Sequence, residues 1–281
     1  DPAVRLVAAA AIPCDRGPLG CEVLRHGKHY FTDKAPFTTL AQLAEARQVV
    51  ATTGKKYAVY FSERLHVESA VFAGQLIEQG AIGRVLQVIG LGPHRLNAPG
   101  RPDWFFKREQ YGGILIDIGS HQLEQFLYYT GAQDAVVQHA SVANYDNPDH
   151  PELEDFGQIV VAADNGATGY HRVDWFTPDG LCTWGDGRTI VMGTEGFIEM
   201  RKYCNVATSQ EPDHVFLVNG DGEQHFAVSG QVGYPFFGRL IRDCLDGTEH
   251  AMTQEHALKA AELCVKAQMA ARNVTPDTLR K

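Results

Sequence analysis

Cysteine is scarce in this sequence, with six residues, at positions 14, 21, 182, 204, 244 and 264, in a chain of 281. None are spaced as Cys-x-x-Cys, so neither a disulfide framework nor a zinc knuckle is indicated. A reducing, cytoplasmic setting is the expectation. Excess positive charge is missing too. Lys and Arg number 25 against 34 Asp and Glu, a net charge of −9. Without a basic stripe, that balance disfavours nucleic acid and anionic membranes as partners. No apolar run approaches the ~20 residues of a membrane-spanning helix. The start, Asp1-Pro-Ala-Val-Arg5, lacks the basic-then-apolar layout of a secretory signal. The 12 histidines show no His-x-x-x-His or His-Glu-x-x-His spacing, so no metal is expected. No Gly-x-Ser-x-Gly offers a nucleophilic serine. What remains is an ordinary globular composition, 44% hydrophobic and 21% charged, sized for one large domain or two modest ones.

Strand and helix signals alternate over residues 4–91. Val4 to Ala11 is a nearly all-apolar run, as a strand buried on both faces requires. Leu19 to His26 reads as a helix capped by Gly27, and Lys28 to Thr32 as the next strand. Thr39-Leu-Ala-Gln42 has capping-box spacing and opens a helix to about Thr53, stopped by Gly54. Lys56 to Phe61 reads as a strand, Val67 to Gln79 as a helix and Val85 to Leu91 as a strand. This alternation indicates parallel βαβ units. A dinucleotide-binding domain carries Gly-x-Gly-x-x-Gly just after its first strand. Ile12-Pro13-Cys14-Asp15-Arg16-Gly17 does not supply it. Either this is not such a domain, or its first strand lies upstream of Asp1.

The period then changes, near residues 85–95. Strand-like runs follow at Val136 to Ala143, Gly157 to Ala163, Ala167 to Phe176, Thr189 to Met192, Gly196 to Arg201, His214 to Val218 and Gln224 to Val228. Asp164-Asn165-Gly166 and Asn219-Gly220-Asp221-Gly222 read as hairpin turns, so these strands form an antiparallel sheet. Two helices close the chain, about Phe236 to Leu245 and His256 to Arg272. The expected fold is a parallel α/β part followed by an α+β part with a large open, mainly antiparallel sheet.

Four constellations could carry chemistry. In Gly112-Gly-Ile-Leu-Ile-Asp117-Ile-Gly-Ser-His121, the Asp and His are four apart and share a helix face. A buried carboxylate beside an imidazole suits acid–base work near neutral pH. The same spacing also serves a pair that only stabilises a helix. Thr32-Asp33-Lys34-Ala35 ends a parallel strand, the edge where ligands of open α/β sheets gather. Lys34 there either donates to a ligand hydroxyl or sits solvated in a loop. Phe61-Ser62-Glu63-Arg64 ends the next strand on the same edge. Arg64 either anchors a polar ligand or pairs with Glu63 or Glu68. The stretch His94-Arg95 with Arg101-Pro-Asp-Trp104-Phe105-Phe106-Lys107 suits sugar stacking or a plug between domains. His171, Trp175, Trp184 and Asp186 read mainly as sheet and interface residues.

In this order, Asp33-Lys34, Phe61-x-x-Arg64 and the Asp117 to His121 segment ahead of an open antiparallel sheet resemble the Gfo/Idh/MocA family. These are NAD(P)-dependent sugar, polyol and inositol oxidoreductases. Trp184-Gly-Asp-Gly-Arg188 and Gly193-Thr-Glu-Gly196 extend the resemblance. It implies that residues 1–92 are the C-terminal part of a Rossmann dinucleotide-binding domain and residues 93–281 a substrate-binding and oligomerisation domain. It implies NAD or NADP as cofactor, a homodimer or homotetramer through the sheet, and a sugar or polyol substrate. Lys34 inherits a place between nicotinamide, ribose and substrate. His121 inherits the role of general base, and Asp117 supports it and helps position the substrate. Ile12, Pro13, Asp33 and Arg64 fall toward the cofactor, and Arg64, His94, Trp104 and Phe105 toward the substrate. Two departures stand out. Asp33 replaces the family's Glu, and Ala35 replaces its Pro, which removes the residue that favours a cis turn there. The family's two leading βα units, with the pyrophosphate site, have no counterpart ahead of Asp1-Pro-Ala-Val4. Two alternatives follow from the resemblance. One is a sugar epimerase or glycosidase that oxidises its substrate only transiently. The other, if the short N-terminus is natural, is a cofactor-free binding protein.

Overall fold

Leu6–Ala9 (β1), His29–Asp33 (β2) and Tyr57–Tyr60 (β3) form a parallel three-stranded sheet in that order, in a computed structural model that describes residues 1–279. Helices follow each strand: Pro13–Arg25 (α1), Leu40–Thr53 (α2), and the pair Ser62–Leu65 (α3) and Glu68–Glu78 (α4). α1 begins six residues earlier than the expected start at Leu19. Pro13 occupies the first turn, where its missing N–H costs nothing. Pro18, inside the helix, leaves the Cys14 carbonyl without its usual donor, and Gln42 Nε2 donates to it at 2.8 Å. α2 has the expected cap, with the Thr39 hydroxyl accepting from Gln42 N at 3.2 Å. It ends on Gly54 at φ 62°, the left-handed conformation that glycine adopts without strain.

Val85–Pro93 (β4) leaves this sheet. It pairs parallel with Thr168–Asp174 (β7) and antiparallel with Arg188–Gly193 (β8). The change of sheet therefore comes at residues 79–84, and the boundary drawn at residue 92 falls inside a strand of the second sheet. A short apolar run shows that a strand is present but not which sheet accepts it. The second sheet has nine strands. The others are Ala135–Ala143 (β5), Phe156–Ala163 (β6), Gly196–Arg201 (β9), His214–Asn219 (β10), Gly222–Ala227 (β11) and Arg272–Asn273 (β12). Their order is β11-β10-β9-β8-β4-β7-β6-β5-β12, antiparallel except at β4–β7 and β5–β12. The two expected hairpin turns join β6 to β7 and β10 to β11, with Gly166 and Gly222 at positive φ.

Between β4 and β5 come Arg108–Tyr111 (α5), Ile114–Asp117 (α6) and Gly119–Thr130 (α7), with Phe236–Asp246 (α8) and Gln254–Ala270 (α9) towards the end of the chain. α7 lies against β4 and β7 on one side and α9 on the other, and nearly all of it is buried. Leu123, Phe126 and Leu127 join the apolar core, while His121, Gln122, Glu124 and Gln125 are polar yet buried. Such groups persist only if partners or the site itself account for them. Among the described residues, no helix is long and apolar enough to cross a membrane.

Candidate active site

Three loops at the carboxyl edge of the parallel sheet converge on α6 and α7. β2 ends at Asp33, whose Oδ1 accepts from Lys34 N at 2.9 Å. The Lys34–Ala35 peptide bond is cis although Ala35 is not proline. Arg16 of α1 braces this turn from below. Its Nε donates to the Ala11 carbonyl at 2.7 Å, and Nη1 donates to the carbonyls of Lys34 and Ala35. Lys34 thereby points its Nζ at Asp117, 2.5 Å from Oδ1 and 3.1 Å from the main-chain oxygen. Asp117 closes α6 and His121 lies in the first turn of α7. They belong to two short helices and not to one, but His121 N donates to Ile118 O at 3.1 Å, so the four-residue spacing is kept across the joint.

These groups line an open cleft of about 350 Å³. Burial opposes ionisation of Asp117, but the adjacent Lys34 outweighs it and holds the carboxyl below its usual range. His121 is only 4% exposed, and burial lowers its pKa to about 3 against the pull of Glu63. Its Nδ1 is buried without a partner, which leaves Nε2 as the ring nitrogen open to the cleft. The imidazole is therefore neutral throughout the physiological range.

A second ion pair supports the floor. Glu63 of α3 is buried. Its Oε2 accepts from Lys202 Nζ at 2.6 Å and from Gln122 Nε2 at 3.3 Å, and its Oε1 lies 3.2 Å from His94 Nε2. Burial would raise its pKa, but Lys202, with His121 and His94, holds it well below the usual value. Gln122 reaches this position because β4 carries Gly90 and Gly92 opposite it. A Cβ at Gly90 would lie 2.1 Å from Gln122 Oε1. The far wall is aromatic: Trp104 and Phe105 from a 3₁₀ turn, Trp175 after β7, Trp184 from a loop, and Tyr203 after β9.

Pro13, Asp33, Lys34, His94, Trp104, Phe105, Asp117 and His121, all expected from the sequence, meet in this cleft. Ile12 caps α1 beside it but is not part of the lining. Arg64, expected at cofactor or substrate, is turned away from it. Its Nε donates to Glu124 Oε1 at 2.6 Å, Tyr128 stacks on its guanidinium at 4.1 Å, and His256 Nε2 lies 2.9 Å from the same Glu124 oxygen. The neighbouring residues Ser62 and Glu63 face the cleft instead. α3 begins at Ser62, and a helical turn sends consecutive side chains in different directions. Sequence reasoning missed Arg16, Lys202 and Tyr203, and it took Glu63 only as a partner for Arg64 and Arg101 only as part of the aromatic stretch. It also read Trp175 and Trp184 as sheet and interface residues. The local sequence carries no signal for Arg16 or Lys202, whose roles arise from tertiary contacts. Arg101 stood within the aromatic stretch that was singled out.

Residues 71–199 match the sequence profile of the GFO/IDH/MocA C-terminal domain. The chain is 25% identical over 287 residues to scyllo-inositol 2-dehydrogenase (NAD(+)) of Bacillus subtilis (strain 168), covering 99% of this chain and 79% of the relative. A crystal structure named only as an oxidoreductase, from Erwinia carotovora atroseptica SCRI1043, superposes with a TM-score of 0.95 at 54% identity, over 98% of this chain and 82% of that one. Levoglucosan dehydrogenase, solved in complex with NADH, shares the fold at a TM-score of 0.76 and 18% identity, over 96% and 79% of the two chains.

Proposed function

Because the chain belongs to the Gfo/Idh/MocA family of oxidoreductases, we propose that it is a dehydrogenase using NAD or NADP to oxidise a secondary hydroxyl of a sugar, polyol or inositol-type substrate. One observation carries the assignment of roles: a buried, neutral imidazole, His121, opens onto the same cleft as the Lys34–Asp117 ion pair. Oxidation of an alcohol to a ketone removes a proton from oxygen and a hydride from carbon. The chain handles the proton. Lys34 donates a hydrogen bond to the substrate oxygen and favours its ionisation. His121 takes the proton at Nε2. Asp117 holds the Lys34 ammonium in place.

A nicotinamide dinucleotide, when bound, supplies the hydride acceptor. The residues present fit its nicotinamide–ribose end. Pro13 and Arg16 of α1 and Asp33 and Lys34 of β2 line the cleft at the carboxyl edge of a parallel sheet, where such ligands bind. No Gly-x-Gly-x-x-Gly occurs in the sequence, so no residue here is assigned to the pyrophosphate. In this reading the three-stranded part serves the cofactor, and the nine-stranded part serves the substrate and assembly.

The outer face of the large sheet supports a homodimer or homotetramer. Met192 of β8 pairs directly with Phe197 of β9, and both are exposed. Val160 and Ala162 share that outer side on β6, whereas Val173 and Trp175 point into the core.

The test is His121→Ala. Loss of a general base costs ~10²–10⁴-fold in turnover. The expected result is a kcat reduced by that order with NAD(P)H affinity unchanged. An unchanged kcat removes His121 from the role assigned here.

A further inference from the structure

Arg101 stands at the cleft with its charge uncompensated. Its Nε donates to the Leu96 carbonyl at 2.9 Å, and its guanidinium lies over Phe105, Trp175 and Trp184 at 4.3, 5.0 and 5.3 Å. It forms no ion pair among the described residues, and Nη2 has no hydrogen-bond partner. Burial depresses its pKa from the usual arginine value, and the distant charge of Asp117, already paired with Lys34, is the opposing influence.

The other charges of the cleft and its floor are accounted for. Lys34 pairs with Asp117, and Lys202 with Glu63. Arg16 spends its donors on main-chain carbonyls, and Asp33 accepts from Lys34 N at the cofactor end. Of the lining cations Arg16, Lys34 and Arg101, Arg101 is the one set against the aromatic wall, with no carboxylate partner and with Nη2 unpartnered. A desolvated guanidinium with free N–H groups is satisfied best by a planar anion, and a carboxylate matches its fork.

From this we infer that the substrate of the proposed dehydrogenase carries a carboxylate, as a uronate or a carboxylated cyclic polyol does, and that Arg101 reads it. The aromatic rings stack against the sugar or polyol ring while the guanidinium fixes its acid end. That orientation presents one particular hydroxyl to Lys34 and His121. The inference rests on the dehydrogenase reading for the chemistry but not for binding.

The chain has three tryptophans, Trp104, Trp175 and Trp184, and all three line the cleft, so selectively excited tryptophan fluorescence reports on it. The full chain, saturated with NADH, is titrated with glucuronate against glucose, galacturonate against galactose, and glucose 6-phosphate. At least one carboxylate should bind about 10- to 100-fold tighter than its neutral counterpart, the range of a charge-assisted hydrogen bond in a partly buried site. Arg101→Met should erase that preference by weakening the acid far more than its neutral counterpart, while Arg101→Lys retains part of it. Equal binding of acid and neutral sugar, tighter binding of the phosphate, no response to any carboxylate, or equal losses on both in Arg101→Met would each overturn the proposal. NAD(P)H formation, followed separately, tests the dehydrogenase reading. Acid binding without NADH formation in the NAD⁺ assay defeats that reading alone. NADH formation from neutral sugars without preference for acids defeats the carboxylate alone.

Discussion

His121 and Lys34 were legible because their motifs are local. A strand end followed by Asp-Lys, and Asp and His four apart within an apolar segment, each fix geometry over a few residues. Arg64 and Arg101 were not legible, since an arginine reads the same whether it faces a carboxylate or a cleft. Glu124, three residues beyond His121, decided the matter for Arg64. Its carboxyl is fully buried. Burial opposes ionisation, but Arg64 and His256 outweigh it and hold the pKa to about 2. Removing one partner of a buried pair leaves the other charge uncompensated. Glu124→Ala should therefore lose about 3–5 kcal/mol of stability in urea unfolding. A loss below 1 kcal/mol would show that Arg64 finds another partner. The pH dependence is signed. His121 and His171 both titrate near 3 in the folded chain, far below the ordinary histidine value, because burial disfavours their charged forms. Between roughly pH 6.5 and 3 the unfolded chain binds protons that the folded chain refuses, so stability falls as pH falls through that window. Glu124 adds to the decline below roughly pH 4.5, where its unfolded carboxyl protonates first. Replacing His171, whose two ring nitrogens are both unpartnered, by Leu should flatten the decline. A urea series from pH 7 to pH 4 with unchanged steepness contradicts this. Catalysis itself should show no loss of kcat/KM near pH 6.5 from His121.

At the level of elements, the order of strands and helices was readable and their partners less so. β4 has the same apolar run that a fourth parallel strand would have, and only its pairing with β7 and β8 places it in the large sheet. α1 extends six residues ahead of the segment that reads as a helix, across Pro13, Gly17 and Pro18, residues that ordinarily interrupt helices. The fold uses each of them. Pro13 starts the helix, Gln42 satisfies the carbonyl that Pro18 frees, Gly17 lets α1 approach Gln42 and Phe37, and Gly20 lets it approach the parallel sheet. A Cβ at Gly20 would lie 2.3 Å from the Tyr57 ring and 2.7 Å from the Tyr30 ring. Both rings are fully buried and packed edge-to-face at 5.0 Å, so neither can give way cheaply. Gly20→Ala should cost about 1–3 kcal/mol despite its better helix propensity. Unfolding at wild-type stability would mean that α1 can move off the sheet. Because Arg16 lies on the same helix and braces the Lys34 turn, the variant should also lose activity.

The whole molecule presents one broad surface whose composition asks for a partner. Outward side chains of the large sheet include the adjacent Met192 and Phe197, both more than 40% exposed. Large apolar groups side by side on an open sheet mark an interface more often than a free surface. Light scattering after size exclusion should give at least a dimer, and Met192→Glu should shift it toward monomer with the fold retained. A monomeric wild-type chain would contradict the assembly proposed. The proposed reaction is likewise a property of the molecule as a whole, because the end of β2 carries Lys34, α6 and α7 carry Asp117 and His121, and a 3₁₀ turn with segments flanking the large sheet carries the aromatic wall. The most direct test is the stoichiometry of reduced nicotinamide formed per ketone produced, read at 340 nm with a turned-over sugar or polyol. A net dehydrogenase gives one NAD(P)H for each ketone. Product without accumulated NAD(P)H would show that any oxidation is transient, and would contradict the account.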